Sequence, residues 1–146
     1  MEIHNFYRKF SPFFRRRRLL HFIKVIKPSA EEKILNVGGY HWFWDDIDHD
    51  LNITFLNLDS DRSSPRYVYV HGDGRSMPFS DNEFDIVFSN SVIEHLGSKE
   101  DQAMMAEEIM RVGSKYWVQT PAYEFFLSHT MSLPLFTGYL NVMREY

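Results

Sequence analysis

Five short apolar runs recur along the chain, each closed by glycine, a small polar residue, an acid or proline. "EKILNV" ends at Gly38, "ITFLNLD" at Asp59, and "RYVYVHGDG" in a turn, while "FDIVFSN" and "SKYWVQTP" follow. Runs of this length that are nearly continuous in apolar residues suit strands covered on both faces. Helical patterns lie before and between them. Ser11 and Pro12 make an N-cap and N1 pair, and Leu19, Phe22, Ile23 and Ile26 form one helical stripe that Pro28 stops. "HWFWDDIDHDL" carries a second stripe. Ser98 and Asp101 make a capping-box pattern before a helix with Met105, Ile109 and Val112 on one face, and Gly113 is its expected C′ residue. Strands alternating with helices in this way predict a parallel α/β sheet.

The 146 residues suffice for one domain with a core, and 44% hydrophobic with 16% aromatic residues excludes disorder for most of the chain. A net charge of −4 gives no general attraction to nucleic acid, so none is expected as a partner. The lack of cysteine excludes disulfides, thiolate metal sites and a cysteine nucleophile. The N-terminus has no apolar signal region and no long apolar run occurs, so the expectation is a soluble cytoplasmic protein. No repeat or linker interrupts the pattern. We divide the chain into a helical lead-in over 1–30, an α/β core over 31–121 and a further segment over 122–146.

In a parallel α/β sheet, ligands bind at the carboxyl ends of the strands. Gly38 and Gly39 end the first strand and let a ligand approach exposed amides. Asp59 ends the second, 21 positions beyond Gly38, where an acid reaches ribose hydroxyls in nucleotide-binding folds. Asp73 sits in the "GDG" turn after the third, and Ser89, Asn90 and Ser91, then Glu94 and His95, follow the fourth. A Gly-Gly pair or a strand-end acid alone is an ordinary structural feature. Their recurrence at successive strand ends points to a ligand site. Arg15 to Arg18 read either as a solvated helix start or as a contact for phosphate or an anionic membrane. Asp45, Asp46, Asp48 and Asp50 lack the glycine and distal glutamate of a calcium loop and read as a solvated face. The seven histidines have no ligand spacing, so no metal is expected.

"GDGRSMPFSDNEFDIVFSNSVIEHL" resembles the central block of class I S-adenosylmethionine-dependent methyltransferases of the type 11 group, where "GDA-x-x-LPF-x-D-x-SFD-V-V" carries the third and fourth strands. The similarity continues through "MAEEIMRVGSKYWVQTP" and back to "ILNVGG", covering about Ile34 to Pro121. It implies a Rossmann-like, doubly wound, mostly parallel sheet with helices on both faces. The group's first motif is D-x-G-x-G-x-G, and Asn36, Gly38, Tyr40 and Trp42 stand at its Asp and Gly positions. "NVGGYHWFW" is similar to a variant D-V-G-G-T turn followed by Phe-Trp, in which Gly39, Phe43 and Trp44 belong and Asn36 and Tyr40 depart.

The resemblance implies S-adenosyl-L-methionine as cofactor. Gly38 and Gly39, with Asn36 and Tyr40 of the same motif, would lie by its methionine part. Asp59 would accept from both ribose hydroxyls, with Leu58 and Ser60 near the ring. Asp73 would accept from the adenine amino group, with Gly74 and Arg75 supplying backbone, and Ser89 and Asn90 would line the sulfonium side. His95 is the first candidate for a base and equally reads as a turn histidine; His129 is a weaker candidate. The implied acceptor is a small molecule or a sugar- or lipid-linked component. A non-catalytic scaffold of the same fold is the alternative, and a nicotinamide oxidoreductase leaves "GDGRSMPF" unexplained. Such folds end with two further strands, one antiparallel, but "EFFLSHTMSLPLFTGYLNVMREY" reads as loop and short helix. The expectation is therefore an incomplete acceptor side, the last two strands missing, and an unpaired fifth strand prone to association.

Overall fold

The computed structural model describes residues 16–59, 63–121 and 139–144. Residues 16–26 form helix α1. There follow β1 (Lys33–Val37), α2 (Trp42–Asp45), β2 (Asn52–Asn57), β3 (Val68–His71), β4 (Phe84–Asn90), a 3₁₀ turn (Ile93–His95), α3 (Lys99–Val112), β5 (Gly113–Pro121) and β6 (Tyr139–Arg144). The sheet order is β3-β2-β1-β4-β5-β6. The first five strands are parallel, and β6 runs antiparallel to β5. The order reverses between β1 and β4, the switch point at which doubly wound sheets open a crevice.

Alternation along β1 explains the two-sided core. Ile34 enters one apolar cluster with α1, while Leu35 and Val37 enter the other with α3. The α1 side is aromatic. Phe22 meets Phe88 edge-on at 4.9 Å and Trp117 at 5.7 Å, and Trp44 meets Phe88 at 5.1 Å. Such edge-to-face pairs add roughly 0.5–1.5 kcal/mol each beyond burial. Leu19 and Phe22 of the expected stripe are buried, with Ile23 and Ile26 packed alongside. The helix ends at Lys27, whose φ of 52° is left-handed and whose N–H donates to the Ile23 carbonyl at 2.9 Å. Pro28 then follows, as the sequence required.

On the other side, Ser98 Oγ accepts from the Asp101 N–H at 3.0 Å and caps α3, and Met105, Ile109 and Val112 are buried. The end of α3 clamps the β3–β4 connection. Glu108 Oε2 accepts from the Met77 N–H at 2.6 Å, and Arg111 donates to the Phe79 carbonyl at 2.7 Å and to Asp81 at 2.9 Å.

Three expectations are corrected. Gly113 is extended, not a C′ residue in a left-handed turn, because β5 begins there at once. Glycine is needed for space: a Cβ at 113 would collide with Val87 Cγ2 and lie 3.2 Å from the Lys115 carbonyl oxygen. The stripe over "HWFWDDIDHDL" yields only the four residues of α2, although Phe43, Trp44 and Ile47 are buried as a stripe requires. Asp46, Asp48 and Asp50 would fall toward the negative end of a longer helix, where acids are unfavourable. Finally, β5 is paired. β6 lies along it from Tyr116↔Arg144 to Pro121↔Tyr139, so the expected open edge on that strand is overturned. The strand-forming Tyr139, Leu140 and Val142 were hidden in a tail broken by Pro134 and Gly138.

Two outcomes follow. Gly113→Ala should cost about 1–3 kcal/mol by overpacking, part of it recovered with Val87→Ala in a urea double-mutant cycle. Arg111, foremost, holds the Glu108 carboxyl below its ordinary value of 4.5. Its stabilising contribution is thus full above that pH and lost as pH falls through the lower folded value. Glu108→Gln should be the less stable protein at pH 7 and converge on the parent below pH 4.5, read from urea midpoints across that range.

Candidate functional site

Parallel pairing sets the carboxyl ends of β1, β2 and β3 side by side, and a cavity of about 240 Å³ opens there. Its wall takes Val37 and Gly38 from the end of β1, Leu56 to Asp59 from β2, and Gly72 to Gly74 from β3. Val92 and Leu96 after β4 and Met105 of α3 complete it. The volume is slightly below the roughly 300–1,000 Å³ of small-molecule sites. A larger depression, about 460 Å³, lies between α1 and the segments leading into β1 and β2. That is the amino end of the strands, away from the glycine turn and from the acids.

The glycine turn is held tightly. Gly38 has φ of 73°, its N–H donates to the Leu56 carbonyl at 2.8 Å, and a Cβ there would sit 2.7 Å from a Val92 methyl. A Cβ on Gly39 would reach 2.6 Å from Asn36 Nδ2, because the Asn36 carboxamide lies directly under that residue. Asn36 is 1% exposed, and neither its oxygen nor its nitrogen has a hydrogen-bond partner among the described residues. The Gly39 carbonyl accepts from Asn57 Nδ2 at 2.9 Å. Beyond it, the Tyr69 hydroxyl accepts from the His41 N–H at 3.1 Å and lies 2.8 Å from His41 Nδ1. Tyr40 is 43% exposed, its ring tilted against Trp42 at 5.7 Å.

The acids differ in setting. Asp59 is exposed at the rim of the cavity beside exposed Leu58; Ser60 lies outside the described residues. The Asp73 carboxylate is gripped by Arg75, whose Nη2 donates to Oδ2 at 2.6 Å and whose backbone N–H donates to Oδ1 at 2.9 Å. The Arg75 guanidinium holds the Asp73 carboxyl below its ordinary value. Arg75 Nη1 also donates to Asp101 on α3 at 2.8 Å.

After β4 the chain turns through Ser91, left-handed at φ 56°, whose N–H donates to the Gln119 carbonyl at 2.7 Å. Buried Ser89 Oγ, Asn90 Oδ1 and Gln119 Oε1 have no partner among the described residues. Such groups cost about 1–3 kcal/mol each if left unpaired, so each calls for a polar ligand or water. His95 is exposed on the 3₁₀ turn, its N–H donating to the Val92 carbonyl at 2.9 Å. His129 lies outside the described residues.

Of the residues singled out in the sequence, Gly38, Leu58, Asp59, Asp73 and Gly74 line one cavity. Asn36 packs under Gly39 next to the cavity-lining Gly38, while Tyr40, Arg75, Ser89, Asn90 and His95 do not line the cavity. Sequence reasoning missed Asn57, Gly72, Val92, Leu96 and Met105. Asn57 and Gly72 carried the same strand-end signal as their neighbours, but Met105 read only as part of a helix face, and Val92 and Leu96 carried no signal of their own. Among the described residues, no group of three or more acidic or histidine side chains is placed to hold a metal, and no helix is long and apolar enough to cross a membrane. Arg16 and Arg17 are exposed and Arg18 is half-buried; Arg15 lies outside the described residues.

The donor set suits an adenosine-bearing cofactor: two carboxylates on neighbouring strand ends, and glycines at 38 and 74 where a Cβ would press on Val92 or, at 3.2 Å, on Val37. The family profile of the type 11 methyltransferase domain matches residues 46–115. No curated protein matches the chain. Among solved structures, a candidate methyltransferase from Bacillus halodurans C-125 is 18% identical with a TM-score of 0.62, over 76% of this chain and 56% of that one. A SAM-dependent methyltransferase from Archaeoglobus fulgidus is 16% identical with a TM-score of 0.64, over 90% and 67%. The [4+2]-cyclase SpnF is 16% identical with a TM-score of 0.56, over 72% and 44%. The chain thus spans little more than half the length of the first of these structures. Residues 46–115 thus resemble the type 11 methyltransferase domain, and the chain has the fold of the class I S-adenosylmethionine-dependent methyltransferases.

Proposed function

We propose that the protein binds S-adenosylmethionine in the carboxyl-end cavity and transfers its methyl group to a small molecule or a sugar- or lipid-linked component. The observation carrying this reading is the convergence of Gly38, Asp59, Asp73 and Gly74 on one cavity at three adjacent strand ends. When bound, the cofactor supplies an electrophilic methyl group on a sulfonium. Asp59 accepts from the ribose hydroxyls and Asp73 from the adenine amino group, while Gly38 and Gly39 lie against the methionine part. Ser89 supplies the polar wall on the sulfonium side, where its unpaired oxygen finds a partner, with Asn90 next to it at the end of β4. Catalysis of this kind is alignment and proximity, and a base is needed only for a poorly ionised acceptor. His95 is the base we assign, since Val92 and Leu96 on either side of its turn line the cavity. Glu94 belongs to the same turn and accepts from Thr120 Oγ1 at 2.9 Å, tying it to β5.

A second reading, a non-catalytic binding module of the same fold, has its own support. Asn36 is neutral where the group has an acid, and Tyr40 replaces a glycine. The similarity to a cyclase illustrates that this fold hosts more than one chemistry.

Asp59→Ala should weaken S-adenosylmethionine binding by about 3 kcal/mol or more, near a hundredfold, at unchanged melting temperature. Isothermal calorimetry decides it, and equal affinity in the variant would remove the assignment. Asn36→Asp separates the two readings. A carboxyl buried without a partner has a raised pKa, so this variant should lose stability at pH 7 and regain it as pH falls toward the ordinary value of about 3.9. If Asn36 lies by the cofactor's ammonium group, the new charge should also tighten binding; a weakened or indifferent cofactor favours the non-catalytic module.

A further inference from the structure

The Asp73–Arg75–Asp101 cluster carries an interaction that a backbone role for Arg75 does not explain. We infer that Arg75 is a positioning residue, whose guanidinium aims the Asp73 carboxylate and so sets the nucleobase selectivity of the cavity. This rests on the reading that Asp73 accepts from the adenine amino group.

An ionised carboxylate has about four lone-pair directions. Asp73 Oδ1 accepts from the Arg75 N–H at 2.9 Å and from Nε at 3.1 Å. Oδ2 accepts from Nη2 at 2.6 Å and shares Nε at 3.1 Å. Three hydrogens thus serve four lone-pair directions, which leaves room for one further donor from the cavity that Asp73 lines. The guanidinium is also held from its other side, where Nη1 donates to Asp101 Oδ1 at 2.8 Å. Asp101 is fixed in turn, its N–H donating to Ser98 Oγ in the cap of α3. The turn beneath is closed by the Ser76 N–H on the Asp73 carbonyl at 3.1 Å. A Cβ on Gly74 would stand 3.2 Å from Val37 Cγ1 and 3.6 Å from Met105, two residues of the cavity wall.

The fork geometry of arginine is what allows one side chain to bridge two carboxylates while keeping both in plane. A carboxylate held in one orientation, with a single open direction, rewards an N–H donor and repels a carbonyl. A carboxylate free to rotate discriminates less. The bland alternative is an ordinary half-exposed ion pair, worth little to stability and nothing to selectivity.

The two are separated by binding of S-adenosylhomocysteine and S-inosylhomocysteine, which carry an amino and an oxo group at the same ring position, to the 146-residue chain. The parent should prefer the amino form by about tenfold to a hundredfold, one charge-assisted hydrogen bond. Arg75→Ala should cut that preference to within about threefold by weakening the amino form, and Arg75→Lys, which keeps charge but not the fork, should retain only part of it. Asp101→Asn, which loosens the anchor, should fall between parent and Arg75→Ala. Because a folding defect lowers both affinities together, the ratio reports orientation alone. Full preference in Arg75→Ala overturns the inference. Asp73→Asn isolates the underlying reading: if the parent binds neither probe or shows no preference, or if Asp73→Asn keeps it, the Asp73 assignment falls and this inference with it. Loss in Asp73→Asn beside retention in Arg75→Ala refutes only the role of Arg75.

Discussion

The pairing of β1 with β2 on one side and β4 on the other governs everything at the site. Parallel register aligns Val37 with Leu56 and with Ser89, so the chain leaves three strands at one level and in one direction. That is possible only because β1 is buried on both faces, with aromatic packing against α1 and aliphatic packing against α3. Loss of either layer would cost more than stability, since it would let the glycine turn drift from the acids at 59 and 73.

The two faces are unequal at their carboxyl ends. On the α3 side, apolar Val37, Leu56 and Met105 run up to the cavity and form its floor. On the α1 side, the aromatic layer of Phe88 and Trp117 gives way one step further along each strand to Asn90 and Gln119, which face each other in register. Asn36 stands beside Phe88 on the same face. The core thus ends in a row of carboxamides, neutral groups that can be buried at lower cost than charges and can pair with either donors or acceptors.

Much of this was legible in the sequence. β4 coincides with "FDIVFSN", the cap at Ser98 is formed, and the α3 face is the one its periodicity indicated. Those features rest on local rules, period and capping, which a short window contains. What escaped depends on distant residues. Gly113 looked like a helix terminator, but its reason is Val87 on the neighbouring strand, 26 positions away. Gly39 looked like an approach for a ligand, yet it also makes room for Asn36 below it. Met105 read as part of a packed helix face, and Val92 and Leu96 gave no signal, because a cavity wall and a core have the same composition. The grip of Arg75 on Asp73 spans only two residues, but its second anchor on α3 is 26 positions on, and without that anchor the pair is unremarkable.

α3 is tied to the β3–β4 connection at both ends: Arg75 reaches Asp101 in its first turn, while Glu108 and Arg111 hold Met77, Phe79 and Asp81 near its last. The connection has almost no regular structure, yet the Met77 and Asn82 N–H groups and the Met77 and Phe79 carbonyls all pair with that helix. In energetic terms the two are one cooperative unit, because the segment cannot open without freeing the helix from its charged partners. Amide protons over residues 73–82 should therefore exchange with solvent in step with those of α3, although by appearance the segment is a surface loop. The Asp73 side of the cavity is in this way as rigid as the helix behind it.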